Sequence, residues 1–140
     1  MRIMGLDLGD KTIGVAVSDE LHWTAQGVKT IRRISKSKDL TELAQIIGQY
    51  AVGEIVLGYP KNMNGTLGLR AQLAQEFKDL LEKQFDLPVF LWDERLSTVG
   101  ATRSLLEADV SRAKRKLVVD KMAAVFILQG YLDRRIRTGI

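Results

Sequence analysis

Two periods of apolar and polar positions divide this chain. Ile3 to Leu8 is an apolar run broken only by Asp7, and Ile13 to Val17 is a second, with the turn-prone pair Gly9-Asp10 between them. Short β-rich runs joined by so few residues predict buried strands over Arg2 to Gly9 and Ile13 to Ser18, paired as an antiparallel hairpin. From Gln26 to Ile34 the period is two: Val28, Thr30 and Arg32 alternate with Gly27, Lys29 and Ile31, as in a strand with one wet face. His22-Trp23 falls in the connection, where Trp23 is expected to pack on the hairpin rather than stack on a base.

The period then lengthens. Asp39 is expected to open a helix with Glu42 completing a capping box, and Leu40, Leu43, Ala44, Ile47 and Tyr50 form its apolar stripe. Glu54 to Gly58 reads as a short buried strand ending at Tyr59-Pro60. A polar loop, Lys61 to Gly68, leads to a long helix capped by Thr66, with Leu69, Leu73, Phe77, Leu80 and Leu81 on its stripe. Pro88 starts a strand over Val89 to Trp92, which runs into Asp93-Glu94-Arg95. A helix follows from Ser97 or Thr98 through Leu106, then a basic segment from Ser111 to Lys116, then a last helix from about Leu117 to Arg134. Strands separated by helices imply parallel crossovers, while the opening hairpins imply antiparallel pairing. The expectation is an α/β fold: one domain, 1–140, with a mixed five-stranded sheet and helices on its faces.

Composition narrows the chemistry. With 140 residues and 46% hydrophobic content, the chain can bury one ordinary core. Its longest apolar run, Met122 to Leu128, is far short of the roughly 18 residues of a membrane span. No cleavable signal is read at the N-terminus and there is no cysteine, which together fit a cytoplasmic protein without disulfides or thiolate metal sites. A single histidine, His22, excludes a His-rich zinc site and most His-based triads. Acid–base or metal chemistry must therefore rest on carboxylates. The net charge of +4 is compatible with a polyanionic partner. The cations gather at Lys29 to Lys38, at Arg112, Lys114, Arg115 and Lys116, and at Arg134, Arg135 and Arg137; the last group is expected to be solvated surface.

A lone charge inside an apolar strand needs compensation, so Asp7 is the first candidate. Functional groups gather outside the carboxyl ends of parallel strands, and Glu94 lies just past such an end. On the last helix Asp120 shares a stripe with Leu117, Ala124, Ile127, Leu128 and Tyr131, out of place on a sheet-facing side. Either the three acids are separately paired with cations, or they converge and need a hard divalent cation, Mg²⁺ or Mn²⁺. Two such ions roughly 3.5–4 Å apart make a phosphoryl-transfer site. Gly5 to Thr12 is not a phosphate-binding loop, because a strand follows it rather than a helix. An actin-like ATPase turn is a closer rival, but it needs a second lobe for which the chain has no room. The Lys61 to Gly68 loop, with Arg70 beyond it, is either a phosphate cradle at a helix start or a plain connection.

Four segments together resemble the bacterial YqgF (RuvX-type) family: Gly5 to Ala16, Gly58 to Thr66, Trp92 to Thr98 and Val119 to Ala124. The family is similar to ribonuclease H in fold. It is described both as a Holliday-junction resolvase and as a nuclease that matures the 5′ end of precursor 16S ribosomal RNA. The resemblance implies a strand order of 3-2-1-4-5 with strand 2 antiparallel. It matches Asp7, Glu94 and Asp120 to the acids that bind metal and catalyse, with Asp93 as a substitute ligand beside Glu94. Lys11, Lys61, Asn62, Asn64, Arg70, Arg95, Arg112, Lys114, Arg115 and Lys116 are then the candidates for gripping nucleic acid, either structured RNA or branched DNA. Few aromatics are on offer for stacking, which favours recognition by shape and phosphate contact. Symmetric cutting of a junction would call for a two-fold homodimer, which no segment announces; trimming one RNA end would not. A non-catalytic nucleic-acid-binding or ribosome-assembly module is the alternative of another class.

Overall fold

The computed structural model describes residues 1–9, 11–59, 69–93 and 112–138, and side chains at all of these except 59, 69–71, 112–121 and 136–138. Five strands, β1 (Arg2–Leu8), β2 (Thr12–Ser18), β3 (Ala25–Arg32), β4 (Val52–Tyr59) and β5 (Val89–Asp93), form one sheet in the order β3-β2-β1-β4-β5. β2 is antiparallel to both β1 and β3, and β4 is parallel to both β1 and β5. The three residues between β1 and β2 leave no length for a crossover. The helices α1 (Lys36–Tyr50) and α2 (Leu69–Phe85) stand in the connections that lead into β4 and β5.

Alternation along the central strand builds two cores. Met4 and Leu6 face one side, with Ile13, Val15, Ile31, Leu57, and Leu43 and Ile46 of α1 and Phe77 and Leu81 of α2. Ile3 faces the other, with Val56, Trp92 and the last helix, α3 (Arg112–Thr138), which contributes Ala124, Ile127, Leu128 and Leu132. Among the described residues no helix is long and apolar enough to cross a membrane.

Several expectations are corrected. α1 starts at Lys36 rather than Asp39, because Ser35 is its cap: the Ser35 side chain accepts from the Lys38 amide at 3.2 Å. Asp39 is instead buried; its carboxylate accepts from the Ile34 amide at 3.2 Å and lies 3.8 Å from the Arg33 guanidinium. Glu42 pairs with Lys29 at 3.3 Å instead of capping. Ile46 rather than Ala44 is buried on α1, and on α2 Ala74 takes the buried place expected of Leu73, which stays 46% exposed. α3 begins at Arg112, so the basic segment expected to precede the helix is its first turns, as suits a run of Arg, Lys and Ala with no breaker. Trp23 is 57% exposed and does not pack into the hairpin; its amide is held by the Asp19 carboxylate at 2.7 Å. The expected helix from Ser97 or Thr98 to Leu106, and the Thr66 cap, lie outside the described residues.

Of the C-terminal arginines, Arg134 is exposed as expected, whereas Arg135 is half-buried and tied into the fold; the Arg137 side chain lies outside the described ones. Arg135 donates to Glu54 at 2.9 Å, and Arg134 lies over the Trp92 ring at 5.9 Å. Tyr131 donates its hydroxyl to the same Glu54 carboxylate at 2.6 Å. Burial, reinforced by that carboxylate, pushes the Tyr131 phenol up from 10.0 to about 12, against the opposing pull of Arg135. The folded chain therefore keeps a proton that the unfolded chain loses above pH 10.0. The stability this provides is complete below that value and is lost as pH rises through about 12. An ultraviolet phenolate titration is expected to contain a late phase from Tyr131. Tyr131→Phe should remove that late phase and Glu54→Gln should move it down; a titration that Tyr131→Phe leaves unchanged would contradict the network.

Candidate functional site

Asp7 occupies the penultimate position of β1, on the side that Ile3 and Gly5 share, which faces α3. Only 5% of it is exposed. Its directly paired neighbours in the sheet are Gly14 on β2 and Gly58 on β4, so neither of those positions carries a side chain. Continuing across the sheet, Gly58 pairs with Trp92 and Tyr59 with Asp93. Thus β4 stands between the strand that carries Asp7 and the strand that leads to Glu94, and Asp93, half-buried, is the last residue of β5.

The same glycines let α3 lie close. A Cβ on Gly5 would sit 2.7 Å from the Leu128 Cβ and 3.2 Å from the Ala124 carbonyl, and one on Gly58 would meet the Ile127 side chain. The direction of α3 follows from its contacts. Ile127 covers Gly58, near the carboxyl end of β4, while Tyr131 and Arg135 reach Glu54 near its start. The helix therefore runs against β1 and β4, with its early turns toward the Asp7 end of the sheet.

The turn after Asp7 is held by a clamp that sequence reasoning missed. The Gly9 amide donates to Thr12 O at 2.9 Å, the Arg33 amide donates to Lys11 O at 2.8 Å, and Arg33 Nη1 donates to Gly9 O at 2.7 Å. Arg33 is in turn held against buried Asp39. No short-range pattern links Gly9 to Arg33; only the β2–β3 hairpin brings them together. Asp39→Ala would orphan the Ile34 amide and leave Arg33 without its counter-charge, and is expected to cost about 1–3 kcal/mol. A urea midpoint that falls with unchanged slope checks this. Asp39→Asn, which keeps an acceptor, should lose less.

Of the predicted residues, Lys11 is exposed in the β1–β2 turn. Arg70 lies in the first turn of α2; Arg112, Lys114, Arg115, Lys116 and Asp120 lie on the early turns of α3, their side chains not described. Lys61, Asn62, Asn64, Glu94 and Arg95 fall outside the described residues. Among the described residues no cluster of three or more His, Cys, Asp or Glu could hold a metal ion. Asp7 itself is suited to a hard cation: a buried carboxylate at a strand end with glycine on either side.

Residues 1–134 match the family model RuvX, described as Holliday junction resolvase. The chain belongs to this family. A relative from Desulfitobacterium hafniense, named "Putative pre-16S rRNA nuclease", is 71% identical over 133 residues, covering 95% of this chain and 92% of its own. One from Bacillus licheniformis with the same name is 60% identical over 135 residues, 95% of this chain and 97% of its own. Among solved structures, Thermus thermophilus RuvC in complex with a Holliday junction substrate superposes with a TM-score of 0.60 at 13% identity, covering 99% and 97% of the two chains. The yeast mitochondrial Holliday junction resolvase gives 0.55 at 12% identity, over 98% and 80%. At such identities these likenesses establish the fold, which is that of ribonuclease H-like resolvases.

Proposed function

We propose that this protein is a metal-dependent nuclease that hydrolyses phosphodiester bonds and trims the 5′ end of precursor 16S ribosomal RNA in the cytoplasm. The observation that carries the reading is the buried Asp7 at the carboxyl end of β1 beneath an oppositely running α3. Register arithmetic supports a role for Asp120. Ala124 lies against Gly5; four residues earlier, at position 120, is about 6 Å along α3, and two residues along β1 from Gly5 to Asp7 is about 6.6 Å in the same direction. Positions 7 and 120 thereby fall at one end of the helix–sheet interface, and Asp93, which Glu94 follows in sequence, closes β5 at that same end of the sheet.

In this reading Asp7, Glu94 and Asp120 would hold two Mg²⁺ or Mn²⁺ ions, with Asp93 as a substitute for Glu94. Bound there, the ions would supply the positive charge that activates water and stabilises the leaving oxygen. The chain's own work is to fix the acids. The Arg33 clamp holds the turn behind Asp7, and the glycines at 5 and 58 set the depth of α3. Arg95, Lys11, Arg70 and the Lys61-Asn62-Asn64 loop would grip the substrate's phosphates. Arg112, Lys114, Arg115 and Lys116, on the early turns of α3, would neutralise the flanking backbone, making binding steeply salt-dependent.

A precursor 16S transcript and a four-way DNA junction, incubated with the protein and Mg²⁺ or Mn²⁺, test the proposal. Cleavage that yields the mature RNA end is expected. Paired cuts in the junction by a homodimer would favour resolvase activity, the description that the family model carries. Binding that persists in chelator without cleavage of either substrate would make the protein an assembly module instead.

A further inference from the structure

On the face of the sheet opposite Asp7, a cleft of about 450 Å³ opens between the end of β1, the β3–α1 junction and α2. Its volume is in the range of small-molecule sites, roughly 300–1,000 Å³. Leu8, Leu73, Phe77 and Leu80 give it an apolar floor, and the 46% exposure of Leu73 leaves that floor open to solvent. Arg33 and Lys36 line one side, and Glu76, Asp79 and Lys83 of α2 line the other.

We infer that this cleft is a nucleotide subsite, which takes the unit of the nucleic-acid strand next to the one at Asp7. The inference rests on the nuclease reading for the strand's path. Leu8 and Gly9, which line the cleft, immediately follow Asp7, so a strand crossing the carboxyl end of β1 passes from one place to the other. The two sides differ in chemistry: two carboxylates beside one lysine, Lys83, on the α2 side, and basic residues alone on the other. Lys36 is the first residue of α1, where the helix dipole favours an anion. The one acid of that first turn, Asp39, is turned inward to Arg33 and the Ile34 amide; it offsets Arg33 and leaves Lys36 as the cation that serves this side. A phosphate belongs on this side. The base belongs on the leucines and Phe77, with the Glu76 and Asp79 carboxylates on the α2 side able to accept from an exocyclic amine.

The test uses the full chain in chelator, with adenosine 5′-monophosphate, adenosine and inorganic phosphate as probes, each followed by amide NMR shifts. The monophosphate is expected to move Leu8, Gly9, Lys36, Leu73 and Leu80 as one saturating set, and to bind more tightly than either fragment. Leu73→Asp, at an exposed position, and Lys36→Glu, a charge the α1 dipole tolerates, are each expected to weaken it about tenfold. No saturating shift in that set, or affinity unchanged in both variants, overturns the subsite. A protein or peptide segment that occupies the cleft while the monophosphate does not would overturn it too. Because no divalent ion or cleavage is involved, saturation in a chain that cuts nothing keeps the subsite and removes the nuclease reading. Cleavage without monophosphate binding does the reverse.

Discussion

Asp7→Asn is expected to abolish cleavage while the chain stays folded and keeps its affinity for nucleic acid. Asparagine keeps the shape and one acceptor oxygen but removes the charge on which a hard cation depends. Losing even an outer partner of a metal ligand typically costs 10–100-fold in activity or affinity, so loss of a central ligand should exceed about 10²-fold. The fall should lie in kcat, because the proposed grip on phosphates comes from cations elsewhere in the chain. Circular dichroism and a filter-binding curve in chelator separate the chemical defect from unfolding. Full turnover in this variant would mean that the site lies elsewhere.

Gly5→Val should produce the largest structural effect. Its Cβ would enter the 2.7 Å space before the Leu128 Cβ and press on the Ala124 carbonyl. Neither atom is the free end of a side chain, so α3 itself must retreat. Overpacking of this kind costs roughly 2–3 kcal/mol, a fall in Tm on the order of 10 °C for a domain of this size. Activity should fall further than stability explains, because the same retreat lifts position 120 away from position 7. Gly48→Ala is the control: nothing lies within 4 Å of its added Cβ, and alanine inside α1 should stabilise by about 0.5–1 kcal/mol. Differential scanning calorimetry beside a cleavage assay at low temperature reads both effects. Equal Tm for the wild type and Gly5→Val would refute the close contact.

Local pattern made the first hairpin and the oddity of Asp7 legible, because an acid in an apolar strand contradicts its surroundings at short range. Strand order was beyond such reasoning. That β4 pairs with β1, and β5 only with β4, was implied by family resemblance and not by spacing. At Asp39 the local signal misled. An acid with Glu42 three residues on reads as a capping box, but Ser35 caps first and Asp39 answers a guanidinium brought in by the preceding hairpin. Leu73 looked like core because a 3.6 period admits a stripe about a turn wide, and only the seat of α2 on the sheet makes Ala74 the buried residue. Arg135 looked solvated because its partner Glu54 is 81 residues away. In each case the deciding contact is long-range, and no window along the chain contains it. The clamp on Gly9 and the cleft beside it belong to the same class.

Anomalous scattering from Mn²⁺-soaked crystals shows whether Asp7 of β1, Glu94 next after β5 in sequence and Asp120 of α3 make one divalent-ion centre. Mn²⁺ peaks that share Asp7 as a ligand are expected, with Glu94 and Asp120 completing their coordination. Absence of Mn²⁺ from Asp7, with each of these carboxylates closed onto an arginine or lysine, would contradict the shared centre.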